Sequence, residues 1–212
     1  MIYLLSPLKK EGVASLPMIS FELVADKIDF SSCDTLMFTS KQAVVSANTI
    51  DKSWKEIPCI AIGGATKKKI EELGGKVIYY PKEFYGEALA KDIQVFFSTK
   101  KILYLRPKVI SFDSKAYLEK VGIGLEEQII YETSCVKYSC EQKPIINSTI
   151  IFTSPSTINC FFKNFEWDKS YIAILIGKAT KAHLPKMCRY VIADEPLIDS
   201  CIQKAKEIKE NL

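Results

Sequence analysis

The chain carries one pattern twice. Phe38-Thr39-Ser40 returns as Phe152-Thr153-Ser154, Ile62-Gly63-x-Ala65-Thr66-Lys67 as Ile176-Gly177-x-Ala179-Thr180-Lys181, and Val77-Ile78 as Val191-Ile192, each 114 positions further on. Three matches in one register mean two copies of one structural unit. In both copies an apolar strand gives way to a polar turn and a helix. Two such units facing each other would make a cleft lined by paired helix N-termini.

The chain has 212 residues, enough for one large domain or two small ones, and the duplication favours two lobes of about a hundred residues each. With 48% hydrophobic and 25% charged residues it has the make-up of an ordinary globular protein. No apolar run approaches the roughly 20 residues of a membrane-spanning helix. The start, Met1-Ile2-Tyr3-Leu4-Leu5, lacks the basic region and long apolar core of a signal peptide and reads as a buried strand, so the expected location is the cytoplasm. The seven cysteines, Cys33, Cys59, Cys135, Cys140, Cys160, Cys188 and Cys201, form no CxxC pair, and His183 is the single histidine. No metal site is expected, and the cysteines read as reduced, mostly buried thiols. A net charge of +4 suits an acidic ligand, but the basic residues are too few and too scattered to suggest nucleic acid.

Short β-branched and aromatic runs predict strands at Ile2–Leu5, Ile19–Val24, Thr35–Phe38, Cys59–Ile62, Lys76–Tyr79, Ile102–Leu105, Gln128–Thr133, Thr149–Phe152, Ala173–Ile176 and Tyr190–Ala193. Three- and four-residue apolar spacing predicts helices over Gly86–Phe96, Lys115–Val121 and Leu197–Lys209; another covers Ala65–Glu72, with Gly74-Gly75 as its stop. Alternation of strand and helix means α/β architecture: two similar doubly wound parallel-sheet lobes joined by two extended connector strands. Met1–Leu5 aligns with Ile102–Arg106, and Phe21-Glu22 with Tyr131-Glu132 at an offset of 110. The segment Ser6–Leu16 replaces the turn and helix of Pro107–Gly122, so the first strand lacks its own covering helix. A crossover chain path repairs this: residues 1–18 with 137–212 form one lobe, 22–130 the other, and 19–22 and 130–136 connect them.

Ligands of doubly wound sheets bind beyond the carboxyl ends of the strands, where the first N–H groups of each helix lack internal partners. Thr39, Ser40, Ser154 and Ser156 can cap such turns, and Thr66 and Thr180 open the next helices. The same geometry attracts carboxylate or phosphate, and Gly63 and Gly177 let a ligand approach the backbone closely. Capping alone explains most isolated instances of Ser or Thr at helix starts. Two kinds of motif, each present twice, point further, to a two-lobed binder of a polyanion. Neither GxGxxG nor a Walker loop is present, and no nucleophile elbow accompanies His183.

Taken together, Phe38-Thr-Ser-x-x-Ala-Val44, Ala61-Ile-Gly-x-Ala-Thr66, Ile130-Tyr-Glu-Thr133, Phe152-Thr-Ser-Pro-Ser156, Ile176-Gly-x-Ala-Thr180 and Ala193-x-Glu-Pro196 resemble the uroporphyrinogen-III synthase family over nearly the whole chain. The resemblance implies cyclisation of hydroxymethylbilane to uroporphyrinogen III, with loss of water and inversion of the last pyrrole, and without metal or cofactor. By resemblance Tyr131 assists departure of the hydroxyl group, while Thr39, Ser40, Thr66, Ser154, Ser156 and Thr180 line the cleft with neighbouring backbone at Gly64 and Gly177. Two features depart from the family pattern. Gln42 stands where asparagine or arginine is common, with Lys41 as its substitute, and the Ser6–Leu16 segment is short. Position and charge add Arg106 and Lys178 as carboxylate contacts. The resemblance further implies a monomer acting on a small molecule, without nucleic acid or membrane, and in transient contact with the preceding pathway enzyme. The rival expectation is a non-catalytic two-lobed binder of a small polyanion.

Overall fold

A computed structural model describes residues 1–82 and 85–210. The chain opens with strands β1 (Ile2–Leu4), β2 (Ala14–Ser15) and β3 (Ile19–Leu23). Strand β4 (Thr35–Phe38), helix α1 (Lys41–Ile50), β5 (Cys59–Ala61), α2 (Gly64–Glu72) and β6 (Val77–Tyr79) follow. Next come α3 (Gly86–Phe96), β7 (Ile102–Pro107), α4 (Ser114–Glu119) and the long β8 (Leu125–Cys135). The last third holds β9 (Thr149–Phe152), α5 (Pro155–Asn164), β10 (Ile172–Leu175), α6 (Lys178–Lys181), β11 (Tyr190–Ile192) and α7 (Ile198–Glu210).

The chain divides into two compact units, Met1–Ser20 with Ser134–Leu212, and Phe21–Thr133. The first carries a sheet in the order β11-β10-β9-β1-β2, parallel throughout. The sheet of the second runs β3-β8-β7-β4-β5-β6, and β8, β7, β4, β5 and β6 are parallel. Apart from the additional edge strand β3, the two orders are the same: β9 takes the place of β4, β10 that of β5, β11 that of β6, and β1 that of β7. The repeated tripeptides therefore end equivalent central strands, and the repeated Gly-x-Ala-Thr pieces follow their neighbours.

Each sheet is buried on both faces, as parallel sheets require. Along β4, Leu36 and Phe38 point to a cluster with Ala43, Val44 and Ala47 of α1, with Trp54, and with Ile70 of α2. Met37 points the other way, to Leu89, Ala90 and Ile93 of α3 and Leu118 of α4. Strand β9 repeats the alternation, with Ile150 and Phe152 facing Ile158 and Phe161 of α5 and Ile151 facing Cys201, Ile202 and Ala205 of α7. Period-two side-chain direction is the physical basis.

The short Ser6–Leu16 segment forms no helix; instead it places β2 in parallel register beside β1. Helix α7 covers one face of β1, since Ile2 and Leu4 share a cluster with Cys201, Ile202 and Ala205. Helix α2 ends as its glycines predict. Gly74 has φ of 91°, and the Gly75 N–H donates to Ile70 O at 2.9 Å while that of Gly74 reaches Glu71 O at 3.0 Å, the Schellman pattern.

The cysteines differ from expectation. Cys135, at the end of β8, and Cys160, on α5, form a disulfide across 25 positions. Strand and helix bring them to a Cα–Cα distance of 5.2 Å, a proximity that linear spacing cannot reveal. Cys140 is exposed, whereas Cys59, Cys188 and Cys201 are buried thiols. Among the described residues no helix is long and apolar enough to cross a membrane, and no group of three or more His, Cys, Asp or Glu residues is placed to hold a metal ion.

Candidate active site

Strand β4 ends at Phe38, and the next two residues carry hydroxyls. Ser40 is the N-cap of α1: its backbone is extended and its Oγ accepts the Ala43 N–H at 3.0 Å. The same oxygen lies 2.9 Å from the Tyr131 hydroxyl on β8. Thr39 Oγ1 lies 2.6 Å from the hydroxyl of Tyr104 on β7. Two consecutive rim hydroxyls are thus each backed by a phenol from a neighbouring strand. Both phenols are buried, Tyr131 at 4% exposure and Tyr104 at 2%, while Thr39 and Ser40 are half-buried.

Burial sets the acidity of this pair. It pushes the Tyr104 phenol up to about 12, against a smaller opposing effect of the Thr39 bond. It also raises Tyr131, with the Ser40 bond again opposing. Both are therefore protonated donors at neutral pH. Phe21, the repeat-equivalent of Tyr131, packs edge-on against it with ring centroids 5.9 Å apart.

Arg106 and Glu127 sit beside Tyr104, with side chains 16% and 14% exposed and Nε 3.1 Å from Oε2. The Nε–H is not aimed at that oxygen, and Nε and Glu127 Oε1 both lack a directed hydrogen bond, so the contact is one of charge. Arg106 Nη1 donates to the carbonyls of Pro107 and Lys108 at 3.0 and 3.3 Å. Its charge is opposed within the fold, which makes Arg106 a weaker receptor for a ligand carboxylate than its position suggests. Gln42 is likewise engaged, donating to Ser46 Oγ at 3.2 Å, and Lys41 beside it is exposed.

The second repeated motif begins α2 at Gly63 and α6 at Gly177, both extended and both without a side-chain cap. Their φ values of 175° and 179° are open to any residue, so conformation does not demand glycine there. Space does bear on the matter. A Cβ on Gly64 or Gly177 would meet nothing within 4 Å, which leaves the backbone at each helix start uncovered. Thr66 and Thr180 turn inward at 4% and 3% exposure, and their N–H groups close the first turn onto Gly63 O and Gly177 O at 3.1 Å. The free donors of α2 are therefore those of exposed Gly64 and Ala65.

The other unit repeats the first motif with a difference. Ser154 caps α5, accepting the Thr157 N–H at 3.3 Å, and the Ser154 N–H donates back to Thr157 Oγ1 at 3.3 Å. Pro155 follows at the first helical position, and Ser156 is half-buried beside it. No phenol backs Ser154 among the described residues. Tyr3, the repeat-equivalent of Tyr104, instead accepts the Ile145 N–H at 3.5 Å. Lys178 begins α6 and is exposed.

Of the residues expected from the sequence, Thr39, Ser40 and Tyr131 lie together at the rim of one sheet, and Ser154 and Ser156 at the rim of the other. Tyr104 and Glu127, which the motifs do not single out, lie beside the first rim. The available signal was polar side chains at strand positions 104 and 127, which the register of β7 and β8 sets side by side.

Two α/β units with one strand order, and matching hydroxyl and glycine rims beyond equivalent strands, define a class of duplicated parallel-sheet proteins. Within it, the model of the family described as uroporphyrinogen-III synthase HemD matches residues 9–203. The chain belongs to the uroporphyrinogen-III synthase family. It is similar to the crystal structure of uroporphyrinogen-III synthetase from Helicobacter pylori, at 26% identity and a TM-score of 0.81 over 98% of each chain. A mutant uroporphyrinogen III synthase from the extremely thermophilic bacterium Thermus thermophilus shares the fold, at 11% identity and a TM-score of 0.60 over 100% of this chain and 99% of that one. The porphyrin biosynthesis protein HemD of Ruminiclostridium josui is 29% identical over an alignment of 156 residues that covers 69% of this chain. The match spans 31% of that protein's own length.

Proposed function

We propose that this chain cyclises hydroxymethylbilane to uroporphyrinogen III, losing water and inverting the last pyrrole ring. The family match across residues 9–203 carries the proposal. The rims supply its chemistry. The bilane bears eight carboxylates, and uncovered N–H groups and hydroxyls at helix starts favour such anions. Thr39, Lys41 and the turn at Gly64, which the buried Thr66 supports from beneath, take acetate and propionate arms on one unit, where Ser40 faces the reacting end of the substrate. Ser154, Ser156, Gly177 and Lys178 do so on the other, with the buried Thr180 supporting their turn, and Arg106 of the Phe21–Thr133 unit is a weaker contact. Tyr131 assists departure of the hydroxyl group. As a phenol made less acidic by burial it is a poor acid, so the electron-rich pyrrole provides most of the expulsion. The resulting azafulvene is attacked at the substituted carbon of the last ring, and a spiro intermediate rearranges to the inverted product. The enzyme's main work is then conformational, holding the bilane away from simple closure to the uninverted isomer. The protein acts as a cytoplasmic monomer and receives bilane in transient contact with the preceding enzyme. Separation of product isomers after supplying hydroxymethylbilane is the test: isomer III is expected, and isomer I alone would contradict the proposal.

A further inference from the structure

The hydrogen bonds around Ser40 have a direction. A serine hydroxyl holds one proton and two acceptor sites. One acceptor site takes the Ala43 N–H at 3.0 Å. If Ser40 donated its own proton to Tyr131, the phenol's proton would need a different acceptor. Tyr131 is 4% exposed, and the only hydrogen-bond partner of its hydroxyl among the described residues is Ser40. A buried donor left without an acceptor forfeits the hydrogen bond it made with water in the unfolded chain. The favoured arrangement has Tyr131 donating to Ser40. Ser40 then accepts twice, and its own proton faces away from both partners. A hydroxyl that accepts two hydrogen bonds is a stronger donor for it. The half-buried serine is also the more accessible of the two groups.

We propose that Ser40 gives the proton to the departing hydroxyl group of the substrate, and that Tyr131 acts through Ser40 as a positioning and proton-supplying residue. This rests on the function proposed above. As the C–O bond of the hydroxymethyl group breaks, its electron pair leaves with oxygen, and the pyrrole nitrogen's pair forms the new double bond of the azafulvene. The oxygen takes the Ser40 proton and departs as water, and Ser40 takes the Tyr131 proton. The proton shed by the pyrrole nitrogen restores Tyr131. Nothing is oxidised or reduced. Thr39 and Tyr104 form a similar pair at 2.6 Å, but the Thr39 oxygen caps no helix N–H among the described residues, so it lacks the second accepted bond. Ser154 of the other unit has no phenol behind it among the described residues, which assigns the proton transfer to the Phe21–Thr133 unit.

The test compares Ser40→Gly, Tyr131→Phe and the double variant in formation of isomer III, with thermal melts on each. Glycine is well tolerated at an N-cap, so the variant folds. Ser40→Gly lowers kcat about 100-fold and Tyr131→Phe about 10-fold, the scale of general acid catalysis, with KM little changed. The double variant is no slower than Ser40→Gly, and Ser40→Thr restores most of the rate. Wild-type kcat in Ser40→Gly beside a slow Tyr131→Phe would overturn the inference by placing the phenol on the substrate. Independent, multiplicative losses in the double variant would overturn it too. Isomer I alone from the unaltered enzyme would instead defeat the proposed function, and this inference with it.

Discussion

Tyr104 and the buried thiols hold their protons more tightly in the folded chain than in the unfolded one. Burial pushes Tyr104 and Cys59 up to about 12, and Cys201 up to about 11. Unfolded thiols and phenols release their protons first, near about pH 8.5 and 10. Stability is thus intact below that range and falls as pH rises towards 12, because the folded state binds more protons throughout the window. Denaturant midpoints measured from neutral pH up through this window should decline; a flat profile would show these groups to be solvated. Packing gives a second prediction at single residues. A Cβ on Gly75 would lie 2.3 Å from the Trp54 ring and 2.9 Å from Ile70, so Gly75→Ala should cost about 1–3 kcal/mol in urea unfolding. Gly64→Ala, whose Cβ meets nothing, should leave stability near the wild type and read out in KM instead. Of these residues, Thr39, Ser40 and Tyr131 were legible because motifs surround them. Tyr104 was not, because a tyrosine within an apolar strand carries the same pattern whether its hydroxyl is used or not.

At the scale of elements, helix starts were the legible part. Ser40 and Ser154 cap α1 and α5 where the repeated tripeptides end, and Gly74 and Gly75 stop α2 as composition foretells. Strand β2 was not legible, since two residues give no periodicity to detect. Nor was the disulfide, which depends on β8 meeting α5. Closing a loop across 25 positions restricts the unfolded chain and stabilises by roughly 3–4 kcal/mol on the loop-entropy argument. Cys160→Ala should lower stability by that order in oxidising buffer and far less in the presence of a thiol reductant. Equal loss in both would mean that packing of Cys160, not the bond, matters.

For the molecule as a whole, the sheet order shared by the two units explains why so short a motif repeats so far apart. Each copy ends a central strand, and each rim faces the ligand side of its own sheet. Duplication alone predicts two equal rims, yet among the described residues only one is backed by phenols. A net charge of +4 adds a general attraction for a carboxylate-rich substrate. KM should therefore rise with ionic strength while kcat changes little, as expected for screened attraction; an insensitive KM would place recognition on neutral donors alone. The central claim is a division of labour between the rims, chemistry at Ser40 and anchoring at Ser154. Steady-state formation of isomer III by Ser40→Gly and Ser154→Gly, measured side by side, tests it most directly. A fall in kcat for the first and a rise in KM for the second is the predicted result, whereas a rise in KM alone for both would contradict it.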